Sequence, residues 1–159
     1  MAYYNRGNVY ANQDQFDVAI ADYSKAIERD PTYTAAYFNR GYAHSDQGQL
    51  DLAIADYSKG LTLDPRNSNV YNSRAYAYFA QDNVEQAIAD VTKAIQLAPD
   101  DPNYYDSRCE LYLKSEQWVL GVADCDKALS LGWEFSEMMQ SLLENARQKI
   151  AIPTATPRP

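Results

Sequence analysis

The chain has 159 residues, 46% of them hydrophobic, and a formal net charge of −8. This is enough apolar material for one folded domain and too much for a disordered chain, while the acidic balance lacks the basic footprint that a nucleic-acid binder needs. No apolar run approaches the length of a membrane span, so no membrane insertion is expected.

The elements follow one plan from the start. Residues 1–33 predict a helix over about 2–13, a polar turn, and a second helix over about 15–28 that carries "AIADYSKAI" from Ala19 to Ile27. Pro31 closes the unit, because proline cannot continue a helix. The plan returns in residues 34–67, with helices at about 35–47 and 49–62, "AIADYSKGL" from Ala53 and Pro65 at the close. Residues 68–101 repeat it at about 69–81 and 83–96 with "AIADVTKAI" from Ala87 and Pro99. Residues 102–135 do so at about 103–115 and 117–130 with "GVADCDKAL" from Gly121, and here Trp133 stands where the others have proline. Each copy starts 34 residues after the last. A lone helical pair cannot bury its apolar face, so such units must stack. A ninth helix is predicted at about 135–150, with Phe135, Met138, Met139, Leu142, Leu143, Ala146 and Ile150 on one face. The closing "AIPTATPRP", residues 151–159, reads as a Pro/Thr-rich linker or tail.

Particular places recur in every unit. A large residue returns at Tyr3, Tyr37, Tyr71 and Tyr105, and a small one at Gly7, Gly41, Ala75 and Cys109. Small residues also return at Ala19, Ala53, Ala87 and Gly121, and at Ala26, Gly60, Ala94 and Ala128, where close helix approach forbids bulk. Tyr23 and Tyr57 share a place that passes to Val91 and Cys125. This pattern over residues 1–135 resembles the tetratricopeptide repeat family. The resemblance implies an all-α fold: a right-handed superhelix of four helix-turn-helix repeats (1–33, 34–67, 68–101 and 102–135) plus a C-terminal capping helix at 136–150.

Charged residues recur as well. Arg6, Arg40, Arg74 and Arg108 share one place, and Asp22, Asp56, Asp90 and Asp124 another. A helical wheel turns each arginine toward the preceding unit and each aspartate toward the following one. The expectation is a ladder between units: Asp22 with Arg40, Asp56 with Arg74, Asp90 with Arg108. Lys25, Lys59, Lys93 and Lys127 read as a solvated face. His44, the one histidine, stands where other units carry Tyr10, Tyr78 and Tyr112 and is expected to pack rather than to ligate. Cys109 and Cys125 fall on facing helices of one unit and are expected as reduced core thiols. No set of groups converges for catalysis and no phosphate loop is present, so no enzyme, catalytic residue, metal or cofactor is expected.

In the family, the first helix of each repeat lines a concave groove. Carried onto this chain, the resemblance assigns that groove Tyr4, Asn5, Asn8, Phe38, Asn39, Tyr42, Asn72, Tyr76 and Phe79. Asparagine amides pair with backbone N–H and C=O groups, and aromatic faces take apolar side chains or proline. The implied function is a non-enzymatic scaffold that binds an extended peptide or protein segment. A self-associating spacer, joined through the N-terminal edge, and a substrate-recruiting module of a larger enzyme are the alternatives. "AYYNRGNVY" and "AYFNRGYAH" are similar to repeats of O-linked sugar transferases, whose groove asparagines hold the substrate backbone; Asn5 and Asn39 match, Ser73 and Ser107 do not. The chaperone-tail carboxylate clamp is excluded, because Tyr4, Asn69 and Ser73 stand where its cations belong. Localisation is cytoplasmic by default, with export an alternative in view of the tail.

Overall fold

The computed structural model describes residues 1–151; the predicted tail lies outside the described residues, apart from Ala151. Among the described residues there are nine α-helices and no strand. They are α1 (Ala2–Ala11), α2 (Phe16–Arg29), α3 (Thr34–Asp46), α4 (Leu50–Leu63), α5 (Ser68–Ala80), α6 (Val84–Leu97), α7 (Pro102–Lys114), α8 (Trp118–Ser130) and α9 (Glu137–Ala151). Two compact units divide them, Met1–Leu97 with α1–α6 and a second beginning at Ala98 with α7–α9.

The turn between paired helices is the same each time. Asp14, Gly48, Asp82 and Glu116 take positive φ, between 57° and 72°. The next residue then donates its N–H five residues back: Gln15 to Tyr10, Gln49 to His44, Asn83 to Tyr78 and Gln117 to Tyr112, at 2.8–2.9 Å. This is the left-handed C-terminal closure that satisfies orphan helix carbonyls. It ends α1 at Ala11, two residues before the predicted end. Between pairs, side chains cap the next helix: Asn67 Oδ1 accepts from Val70 N at 3.3 Å, and Asp101 Oδ1 from Asn103 N at 3.0 Å, ahead of Pro102 at the first position of α7.

Each pair closes through one matched contact, where the first helix gives up volume and the second supplies it. A Cβ on Gly7 would sit 2.7 Å from Tyr23 Cε1, and one on Gly41 2.9 Å from Tyr57 Cδ1. A methyl at either place would force those buried rings to move. The third pair has Ala75 with Val91, both fully buried. The fourth has Cys109 with Cys125, which form a disulfide with Cα atoms 5.3 Å apart. The expected reduced thiols are corrected on this point: the place that brings glycine under tyrosine elsewhere brings two sulfur atoms together here. In the second unit Cys109, Cys125, Ala128, Phe135, Met139 and Leu143 share one core, which seats α9 on the α7–α8 pair.

The ion pairs also differ from expectation. Arg6 binds Asp22, Arg40 Asp56, Arg74 Asp90 and Arg108 Asp124, each through two bonds of 2.6–2.8 Å and each within its own repeat. The aspartates face back across their own helix pair, not toward the following unit. The antiparallel turn sets residues 16 apart at one height, which a single-helix wheel does not represent. The arginines do reach the preceding repeat, through serine: Arg40 Nη1 donates to Ser24 Oγ at 2.9 Å, and Arg74 Nη1 to Ser58 Oγ at 2.8 Å. The four aspartates are buried; burial of a carboxylate demands such a two-bond arginine partner. Arg6 is 54% exposed where Arg40 and Arg74 are 22% and 17%.

Candidate functional site

The first unit holds an open cleft of about 320 Å³ lined by Asn8, Ala11, Asn12, Tyr23, Asn39 and Tyr42. Asn8 lies on α1 and Asn39 and Tyr42 on α3, the first helices of consecutive repeats, while Tyr23 reaches up from α2. The floor is a closed polar network. Asn39 Nδ2 donates to Tyr4 Oη at 3.1 Å and to Asn8 Oδ1 at 2.8 Å. Tyr23 Oη donates to the same Asn8 Oδ1 at 2.9 Å. Tyr4 is held in turn by ring contacts with Tyr33 and Tyr23, at centroid distances of 4.8 and 5.9 Å.

This network decides what the two asparagines offer. A carboxamide has two N–H donors and one acceptor oxygen. Both Asn39 hydrogens are engaged, so its Oδ1 is the group this network does not use. Asn8 is the converse: its oxygen takes two donors, and its Nδ2 is the group not used. Side by side they present one acceptor and one donor, the complement of the N–H and C=O that one residue of an extended segment turns to the same side. No charged residue lines the cleft. Tyr42, 58% exposed, supplies an aromatic wall.

The other predicted site residues lie as follows. Asn5 is exposed. Phe38 is half-buried and packs on Gly60, where a Cβ would collide with its ring, so it belongs to the helix-pair interface. Asn72 is half-buried, and its Oδ1 is buried without a hydrogen-bond partner. Tyr76 is 39% exposed and Phe79 half-buried. The structure therefore joins Tyr4, Asn8 and Asn39 by hydrogen bonds and sets Tyr42 on the same cleft. Tyr23 was not among the predicted site residues: its repeated place on the second helix signals core, and its ring is core, but its hydroxyl emerges in the cleft. Burial pushes the Tyr23 phenol up, so it remains a neutral donor.

Titrating groups elsewhere are accounted for locally. His44 is buried, with Nδ1 2.6 Å from Gln49 Oε1 and Nε2 3.9 Å from Asp56 Oδ2. The Arg6 guanidinium holds the Asp22 carboxyl below its usual value. In the second unit, burial and then the neighbouring Glu110 push Asp106 up to about 6, against a hydrogen bond from Trp133. Among the described residues no group of three or more His, Cys, Asp or Glu is placed to hold a metal ion, and no helix is long and apolar enough to cross a membrane.

The sequence matches the family described as tetratricopeptide repeat over residues 4–68 and 38–102. No curated protein matches it. Among solved structures, a MamA protein shares the fold at a TM-score of 0.79 and 22% identity, over 94% of this chain and 86% of that one. A MamA RS-1 ArsTM double mutant aligns at 0.77 and 19%, over 81% and 72%. The first TPR of Spaghetti (RPAP3), bound to the HSP90 peptide SRMEEVD, aligns at 0.70 and 23%, over 72% and 91%. At these identities the likeness concerns the fold.

Proposed function

The chain belongs to the tetratricopeptide repeat family, a protein-interaction fold, and from that premise we propose that it is a non-catalytic scaffold for an extended, uncharged polypeptide segment. Asn8 and Asn39 take the backbone of one extended residue between them, Asn8 Nδ2 donating to its C=O and Asn39 Oδ1 accepting from its N–H. Tyr42 stacks on the neighbouring side chain, and Asn5, Asn72, Tyr76 and Phe79 continue the contact along the first helices of the repeats. Tyr4 and Phe38 act from beneath, by holding these helices. These residues belong to the proposed repeats 1–33, 34–67 and 68–101; the fourth proposed repeat runs 102–135.

The observation that carries this reading is the network that orients both amides. An isolated exposed asparagine is mobile and loses side-chain entropy on binding; these two are already fixed by Tyr4 and Tyr23. The Spaghetti repeat domain was solved with an acidic HSP90 peptide. The cleft here has no cation to receive a terminal carboxylate, so the segment proposed is an internal, neutral one.

Random-peptide display on the intact chain tests the proposal, with the uncharged synthetic peptide IPTATP, blocked at both ends, as a first defined probe. Enriched peptides are expected to bind Asn8→Ala/Tyr42→Ala at least about tenfold more weakly, the loss of one hydrogen-bonded contact and one aromatic contact. Enriched peptides that bind this variant at undiminished affinity would place the site elsewhere.

A further inference from the structure

The fourth repeat departs from the other three at the start of its second helix. Phe16–Asp17–Val18, Leu50–Asp51–Leu52, Val84–Glu85–Gln86 and Trp118–Val119–Leu120 occupy the same places. Asp17, Asp51 and Glu85 are exposed acids in the first helical turn, where the helix dipole favours negative charge. Val119 gives up that interaction and leaves an apolar side chain 67% exposed. Val18 and Leu52 show that the next place tolerates an exposed apolar residue beside an acid. Only the fourth repeat joins two, with Leu120 at 49%. In the first two repeats this acid also accepts from a glutamine of the following repeat, Gln47 Nε2 to Asp17 Oδ1 and Gln81 Nε2 to Asp51 Oδ1, at 2.7 Å each; Val119 can accept no such bond. Contiguous exposed apolar surface of this kind marks a contact site.

The surroundings indicate what makes the contact. Trp118, Val119 and Leu120 from α8 and Ile150 from α9 line a shallow depression of about 440 Å³, and its charged rim consists of Glu116 and Lys149. Lys149 Nζ lies 5.1 Å from the centre of the Trp118 ring, at the edge of the apolar area. The patch therefore has an apolar centre with one anion and one cation. Such a surface is complementary to itself: a two-fold axis through its centre brings each Lys149 to the other copy's Glu116. A chain of net charge −8 repels its copies over most of its surface, and this patch is locally neutral. A uniformly acidic or basic partner would meet one rim charge of its own sign.

We propose that the start of α8 and the end of α9 form a two-fold self-association face whose occupant is a second copy of this chain. The face lies wholly in the second unit and is independent of the Asn8–Asn39 cleft.

Sedimentation velocity of the full chain from about 1 μM to about 1 mM tests it, because a dimer responds to concentration by mass action. The wild-type chain is expected to pass from monomer to dimer in this range. Val119→Glu/Leu120→Gln, which writes into the fourth repeat the Glu–Gln pair of the third, is expected to stay monomeric with unchanged helical circular dichroism. Glu116→Lys and Lys149→Glu are each expected to weaken the dimer at least about tenfold, and the double exchange to restore it. A wild-type chain that stays monomeric throughout, a dimer that Val119→Glu/Leu120→Gln leaves intact, or a double exchange that fails to restore association would each overturn the proposal.

Discussion

The pair α1–α2 and the pair α7–α8 follow one 34-residue plan and close it by different chemistry. In the first, Gly7 gives way to the ring of Tyr23, whose hydroxyl then reaches Asn8 in the cleft. In the second, Cys109 and Cys125 replace that contact with a covalent bond. The tyrosine does two things, filling the interface and orienting a polar group above it. The disulfide does only the first. Between these two pairs a hydroxyl facing the cleft is exchanged for a covalent staple, while helix geometry and the Arg–Asp pair are the same. The contrast explains why the hydroxyl that anchors the polar network is present in the first pair and absent from the fourth.

Reduction should separate the two units most strongly. The disulfide closes a 16-residue separation, a loop whose release costs about 3 kcal/mol. Both tryptophans, Trp118 and Trp133, belong to the second unit, so their fluorescence reports its melting while circular dichroism reports the whole chain. Dithiothreitol is expected to lower the tryptophan transition and to leave the helical signal of the remaining residues at its former midpoint. Equal shifts in both signals would show that the staple is not local.

The first unit is broken from the other partner. Gly41→Ala places a methyl 2.9 Å from the Tyr57 ring, and overpacking of this kind costs about 1–3 kcal/mol. Combining it with Tyr57→Val writes in the Ala–Val pair of the third repeat and is expected to recover part of that loss. Thermal melts of the single and double variants check this; additive losses would deny the volume exchange.

Acid sharpens the comparison with the smallest effect. Asp22 has a lowered folded pKa, so its stabilisation is present above the ordinary carboxylate pKa and lost as pH falls. Asp106 has a raised one, about 6, so the stability it confers when protonated is present at about pH 4 and lost as pH rises through 6. The tryptophan-reported transition is therefore expected to weaken from pH 4 to 6, and Asp106→Asn to remove that slope and raise the midpoint at pH 7. Half-exposure of Asp106 keeps this effect modest. A slope that persists in Asp106→Asn assigns it to another group.

Much of this was legible in the sequence because a fixed interval aligns the chain with itself. Helix positions followed from the recurrence of "AIADYSKAI" and from Pro31 and Pro65, and the all-α repeat fold followed from them. The partners of Asp22 and Asp56 were not legible, since a wheel gives direction around one helix but not height along its neighbour. Val91 and Cys125 read as departures from Tyr23, yet Ala75 and Cys109 change at the facing place. Read as pairs, those differences carry the volume exchange, and in the fourth repeat the disulfide. In the candidate site, Asn8, Asn39 and Tyr42 were legible from their places on first helices. Phe38 shares that face but sinks onto Gly60, and the Tyr23 hydroxyl emerges from a residue whose pattern announces only burial.

Asn8 and Asn39 are held to present one donor and one acceptor to the C=O and N–H of one extended residue, and side-chain amide NMR tests this most directly. On titration with a display-selected peptide, the Asn8 Nδ2 resonances are predicted to shift and saturate with the binding isotherm, and the Asn39 Nδ2 resonances, bonded to Tyr4 and Asn8, to shift less. Saturable binding that leaves the Asn8 amide unmoved would contradict the account.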